Sequence, residues 1–279
     1  MIYLDNAATS FHKPDCVPRA VVEAMQHAGN SGRGSSGEAM AASRLIFNTR
    51  CQIAEMFDVW GPECVAFTSN DTEALNIALQ GTLHPEEGTI HVICTEMDHN
   101  SVLRPLYRLE KKGMNLTILP VDRKGRISLT ELEAAIRPET KVIVCTHASN
   151  LTGNLNDIHA IGEIAQKHQK LFIVDAAQTA GVFPISMKKD HIDILCFSGH
   201  KGLMGPQGTG AICVRPGVSV EPLKVGGSGV LTFQREHPQD MPETLEAGTL
   251  NSHGSQVLAQ LSAGLPKPEQ NRSEKESSS

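Results

Sequence analysis

Several residues that carry chemistry stand just past apolar runs in this sequence, where a ligand can collect. Lys201 lies in Ser198-Gly199-His200-Lys201, and Gly202, Gly205, Gly208 and Gly210 follow it. A lysine in a glycine-rich turn can approach a bound molecule closely, and its amine can form a Schiff base with an aldehyde. Asp175 closes the run Leu171-Phe172-Ile173-Val174. A carboxylate there can keep a neighbouring ring nitrogen protonated. Gln178, shortly after it, can reach the same ligand. Ser69-Asn70-Asp71-Thr72 links an apolar run to a helical pattern. The Thr72 hydroxyl and the backbone N–H groups of a helix start form a ready phosphate site. His99 follows Glu96-Met97-Asp98; an imidazole can stack on an aromatic ring and move protons near neutral pH. Asn150 follows His147-Ala148-Ser149, and its amide can bond a phenolate or a substrate carboxylate.

Taken singly, each feature has an ordinary structural reading. A lysine can be merely solvated, Asp175 and the Thr72 segment can cap helices, His99 can sit on the surface, and Asn150 can serve a turn. Their convergence points further. Successive strand ends carry the parts that pyridoxal 5′-phosphate (PLP) chemistry requires: an amine, a carboxylate for the ring nitrogen, a stacking ring, an amide and a phosphate site.

Apolar runs at Glu63–Thr68, Thr89–Thr95, Asn115–Val121, Lys141–Thr146, Lys170–Asp175, Asp193–Phe197 and Gly210–Val214 must position these residues. They are rich in Val, Ile and Cys and do not alternate with polar residues, as expected of strands buried on both faces. Helical patterns separate most of them, at Thr72–Gly81, His99–Lys112 and Asp157–His168, with a helix opened by Ser128-Leu129-Thr130-Glu131 and stopping near Pro138. The alternation predicts an α/β fold with a mostly parallel sheet. The last two runs have no helix-length insert between them, so a mixed sheet is expected there. Two further helices, Asp15–Ala28 and Glu38–Phe57, precede the alternation and flank a Gly/Ser-rich loop.

The 279 residues are 40% hydrophobic and 20% charged, enough for one large core and part of another. A formal net charge of −6 argues against a dedicated nucleic-acid binder, which carries a basic face. No apolar run is long enough to suggest a membrane span, and the first residues do not read as a secretory signal. Seven scattered cysteines without a Cys-x-x-Cys pair suggest neither a disulfide framework nor structural zinc, and no metal site is expected. Cys94, Cys145, Cys196 and Cys213 read as small buried hydrophobes. A reduced, cytoplasmic setting is expected.

The chain resembles the class V aminotransferase family, within it the cysteine desulfurase and selenocysteine lyase branch. The resemblance rests on Tyr3-Leu4-Asp5-Asn6-Ala7-Ala8-Thr9, Phe67-Thr68-Ser69-Asn70-Asp71-Thr72-Glu73-Ala74, Glu96-Met97-Asp98-His99-Asn100-Ser101, Val174-Asp175-Ala176-Ala177-Gln178, Phe197-Ser198-Gly199-His200-Lys201 and Gly248-Thr249-Leu250-Asn251. It implies a PLP-dependent transferase of fold type I, with a seven-stranded sheet covered by helices on both faces, and a homodimer. Lys201 would carry PLP as a Schiff base, with Asp175 at the pyridine nitrogen and His99 stacked on the ring. Gln178 and Asn150 would address the phenolate side, and Thr72, Ser198 and His200 the phosphate. Thr249 would reach the phosphate in the neighbouring subunit. Asn150 and Arg33, the latter in a loop like the family's substrate-entry segment, would face the substrate. The implied reaction removes sulfur from L-cysteine, or selenium from L-selenocysteine, leaving alanine and passing the sulfur to a cysteine thiol and then to an acceptor protein.

Two departures shape the expectations. Family members continue beyond the region matched here, into a small domain that carries the nucleophilic cysteine and a carboxylate-binding arginine. The reading therefore divides the chain into an arm (1–14), a PLP-binding large domain (15–255), the truncated start of the small domain (256–265) and a disordered polar tail (266–279), with activity impaired. Asp71 stands where relatives have a small uncharged residue, and its charge is expected to repel the phosphate. Two other functions stay open: another class V activity, such as an epimerase, transaminase or lyase, and an inactive PLP-binding subunit paired with an intact relative.

Overall fold

The computed structural model describes residues 2–27, 37–231 and 233–262, of which 38, 256 and 259–262 are described by backbone alone. Arg33, most of the Gly/Ser loop and the polar tail lie outside the described residues.

Two helices open the chain: α1 (Cys16–His27) and α2 (Gly37–Met56). The alternating part follows as β1 (Val65–Thr68), α3 (Asp71–Thr82), β2 (His91–Thr95), α4 (Asn100–Glu110), β3 (Asn115–Leu119), α5 (Leu129–Ala135), β4 (Thr140–Thr146), α6 (Ile158–Lys167), β5 (Leu171–Asp175), β6 (Ile194–Ser198) and β7 (Gly210–Val214). The last helix among the described residues is α7 (Ser252–Ser262). Each expected strand is present, most of them shorter at one or both ends. Glu63 belongs to a 3-10 turn at Pro62–Cys64 rather than to β1, because Pro62 fixes its backbone in a turn.

The strands form one sheet in the order β1-β7-β6-β5-β4-β2-β3. The pairs β2–β3, β2–β4, β4–β5 and β5–β6 are parallel, and β7 runs antiparallel to both β6 and β1. The sheet is thus mixed where the two runs lacked an intervening helix. The reversal leaves β1 parallel to β6, so the carboxyl ends of β1, β2, β4, β5 and β6 share one edge. Gly210, at the start of β7, meets that edge tightly. A Cβ there would lie 2.9 Å from the Asn70 carbonyl carbon and 2.8 Å from the Phe197 carbonyl oxygen. Glycine lets the start of α3 sit against the sheet.

Both faces of the sheet are covered. Phe67, Cys145, Phe172, Val174, Phe197 and Cys213 point into a core shared with α2 and α6. Ala66, Cys94, Val144, Ile173, Cys196 and Ile212 point into a second core with α3 and α4. Four of these positions are the cysteines expected to pack as small hydrophobes, and all four are buried. Ser128 caps α5 by accepting the Glu131 N–H at 3.2 Å. No helix among the described residues is long and apolar enough to cross a membrane, and none of their His, Cys, Asp and Glu side chains cluster as a metal site.

Candidate functional site

The shared strand edge encloses a cavity of about 490 Å³. It is lined by Asp71, Thr72, His99, Asn150, Asp175, Gln178, Ser198, His200 and Lys201, together with Asp5, Ala7, Ala8, Ser101 and neighbouring backbone. Nine of the eleven residues singled out above therefore meet in one place. Thr249 does not line this cavity and is exposed, and Arg33 lies outside the described residues.

The start of α3 shapes one wall. Asn70 caps the helix by accepting the Glu73 N–H at 2.9 Å, which leaves Asp71 and Thr72 in the first turn. The Asp71 N–H donates to Ser198 Oγ at 3.1 Å, joining α3 to the end of β6. Thr72 Oγ1 lies 2.8 Å from Ser101 Oγ, which lies 2.9 Å from His99 Nδ1. His99 itself caps α4, its Nδ1 accepting the Ser101 N–H at 3.1 Å. That bond needs a lone pair on Nδ1, so the neutral ring carries its proton on Nε2. Ser101 was not singled out from the sequence, although it stands two residues from His99. Only the fold brings it to Thr72.

Asp98 was also missed, and it organises the edge. Its carboxylate accepts the Thr95 N–H at 2.6 Å, the Thr95 hydroxyl at 3.0 Å and the Thr146 N–H at 2.5 Å. It thereby ties the end of β2 to the end of β4. Burial pushes its carboxyl up to about 7, against the pull of these three donors. The signal in sequence was an acidic residue beside His99, but its partner on β4 lies far along the chain.

Asp175 is 2% exposed, and one of its oxygens accepts the Ala177 N–H at 2.9 Å. Burial raises its carboxyl pKa, opposed by that bond and by Lys201 and His99. Gln178 donates to the Ala7 carbonyl at 3.0 Å, and this holds the N-terminal arm over the site. The same arm grips the lysine turn. The His200 carbonyl accepts the Ser10 N–H at 3.2 Å and the Ser10 hydroxyl at 2.9 Å, while His200 Nδ1 lies 2.9 Å from Thr9 Oγ1. Burial, then Lys201 and Lys13, lower the His200 pKa, which favours a neutral imidazole. Asn150 is half-buried on a loop closed by the Ser149 N–H bond to the Asn154 carbonyl at 3.0 Å.

Chemically, the cavity joins a primary amine, two buried carboxyls, two imidazoles, side-chain amides, and hydroxyl and N–H donors at a helix start. None of the seven cysteines lines it: Cys64, Cys94, Cys145, Cys196 and Cys213 are buried elsewhere, and Cys16 and Cys51 are half-buried.

The aminotransferase class-V family model matches residues 2–276. The chain is 36% identical over 230 residues to a putative cysteine desulfurase, IscS 1, of Bacillus subtilis, covering 81% of this chain and 59% of that one. It is 34% identical over 258 residues to a probable cysteine desulfurase of Methanothermobacter thermautotrophicus, covering 91% and 64%. The chain thus spans about three fifths of the length of these relatives. Among solved structures, the apo cysteine desulfurase of Thermococcus onnurineus superposes with a TM-score of 0.88 at 33% identity, over 94% of this chain and 66% of that one. A structure described as SspA in complex with cysteine superposes with a TM-score of 0.85 at 28% identity, over 95% and 73%.

Proposed function

The chain belongs to the class V aminotransferase family, a PLP-dependent family, and from that premise we propose that it binds PLP on Lys201 and removes sulfur from L-cysteine, or selenium from L-selenocysteine, to leave alanine. The observation that carries the proposal is a single cavity holding both Lys201 and the nearly inaccessible carboxyl of Asp175. A volume of about 490 Å³ falls within the roughly 300–1,000 Å³ usual for cofactor sites. The relatives named as cysteine desulfurases and the neighbour solved with cysteine support the substrate class.

The residues present fit the cofactor. When bound, PLP supplies an electron sink for charge developing at the substrate Cα. Lys201 would hold it covalently, and its amine can serve as a base toward the substrate Cα. Asp175 keeps the ring nitrogen protonated, because a carboxylate so buried binds a cationic partner strongly. His99 covers the ring, and its Nδ1 bond to the Ser101 N–H fixes the imidazole's orientation. Thr72, Ser198 and His200, with the α3 N–H groups, hold the phosphate. Gln178 and Asn150 serve the phenolate side, and Asn150 with Arg33 the substrate. Thr249, exposed on its own chain, serves the phosphate of a second subunit in a homodimer.

The sulfur must leave for a thiol. The balanced step is L-cysteine plus a thiol giving alanine plus a persulfide: the C–S bond breaks, an S–S bond forms, and the substrate carbon gains a proton. No cysteine of this sequence lines the cavity, so the acceptor comes from outside these 279 residues. That same observation favours a second reading, a class V reaction that needs no cysteine nucleophile.

The test is to add PLP, reduce with borohydride and weigh the intact chain, then assay alanine and sulfide from L-cysteine with and without an added dithiol. A covalent adduct absent from Lys201→Ala, with alanine formed only when the dithiol is present, is expected. No adduct on Lys201 would overturn the cofactor assignment. An adduct without alanine, but with turnover of another small amino acid, would select the second reading.

A further inference from the structure

The Asp71 side chain has no part in the roles assigned above, yet it is a buried acid in the cavity with an unsatisfied oxygen. It is 5% exposed, stands in the first turn of α3, and its Oδ1 is buried with no hydrogen-bond donor to satisfy it. Its carboxyl lies within hydrogen-bonding reach of Asp175. Two buried carboxyls in contact do not both ionise, and they titrate as a pair. The surroundings decide which keeps the proton. Asp175 has the Ala177 N–H at 2.9 Å and is drawn toward its charged form by Lys201 and His99. Asp71 has Lys201 alone in its favour, against its burial and the charge of Asp175. The other titratable groups that interact with the pair are Cys196 on β6, Cys145 on β4 and Asp98 at the end of β2, and none brings a positive charge.

We propose that Asp71 is a positioning residue that stays neutral and donates a hydrogen bond to Asp175, orienting that carboxylate and limiting the pair to one negative charge. The proposal rests on the PLP reading of this site. It replaces the expectation that Asp71 repels the phosphate, because a neutral carboxylic acid at the helix start would not. Repulsion sets in only when rising pH removes the shared proton and places a second charge beside the phosphate-holding turn of α3.

Two measurements test this. The first uses the chain without cofactor, comparing infrared spectra of the wild type with Asp71→Asn and Asp71→Ala at neutral pH. The carbonyl stretch of a protonated carboxyl should weaken in both variants by the intensity of one acid. An unchanged band would overturn the proposal. The second follows PLP binding by fluorescence from mildly acidic to alkaline pH. Wild-type affinity should fall by about tenfold per pH unit once the pair loses its proton. Asp71→Asn keeps a donor that cannot ionise, so it should match the wild type at low pH and lack this fall. Identical pH profiles for the two would overturn the proposal. If no form binds PLP at any pH, the cofactor reading fails instead, and the infrared band still decides the state of Asp71.

Discussion

Asp175 and Asp71 illustrate how little a residue's type says about its charge. Both are aspartates at the same sheet edge and both are buried, but only Asp175 has a backbone donor on its carboxylate. In the proposed mechanism the ionised form of Asp175 is the useful one. Replacing it by Asn leaves a side chain of the same shape that cannot hold a proton on the ring nitrogen. We expect Asp175→Asn to lower kcat by on the order of 10²-fold or more, with the covalent adduct on Lys201 retained. A mass spectrum after borohydride reduction, set beside steady-state kinetics, separates the two effects. Loss of the adduct with unchanged kcat in the residual holoenzyme would contradict the assignment.

At the scale of elements, the site depends on ties between strand ends that are distant in sequence. Asp98 holds β2 to β4 by accepting from Thr95 and Thr146 on different oxygens. Asparagine offers one acceptor and turns its amide N–H₂ toward the other donor. Asp98→Asn should therefore cost about 1–3 kcal/mol of stability, read as a lower urea midpoint with an unchanged slope. The pH dependence has a definite sign. With its carboxyl raised to about 7 in the folded chain from an unfolded value near 4, Asp98 binds more protons folded than unfolded across that window. Its contribution to stability falls as pH rises from about 4 to about 7 and is flat above. Urea titrations at several pH values should show this decline, and Asp98→Asn should lack that component.

Among the described residues, a buried ion pair joins segments far apart in the sequence. Arg50 on α2 meets Glu246, just ahead of α7, at 2.6 Å, with side chains 9% and 6% exposed. Arg50 also donates to the Val65 carbonyl, and Glu246 accepts the Phe67 N–H at 2.6 Å. The pair thus joins the early helices, the edge strand β1 and the late segment. Removing one partner leaves a buried charge uncompensated, so Arg50→Met or Glu246→Gln should cost about 3–5 kcal/mol. Arg50→Met combined with Glu246→Leu should recover part of that loss, because neither charge then remains buried. Thermal unfolding of the three variants checks this, and a double variant no better than the singles would refute it.

Much of this was legible from residues alone, for local reasons. Buried strands announce themselves as unbroken apolar runs, and helix starts by their caps, as Ser128 does on α5. Lys201, Asp175, His99 and Thr72 stood out because each follows a strand, and parallel strands deliver such residues to one edge. Ser101, Asp98 and the Arg50–Glu246 pair did not stand out, because their partners at Thr72, Thr146 and β1 are set by sheet order rather than spacing. The neighbour that raises the Asp71 carboxyl pKa was hidden for the same reason. The sequence by itself determined that a lysine, an acid and a helix start would meet at the strand ends, since periodicity and chain direction act locally. Only the tertiary structure decided that Asp71 stands beside Asp175 with both carboxyls buried, where burial and a neighbouring carboxylate raise the Asp71 pKa.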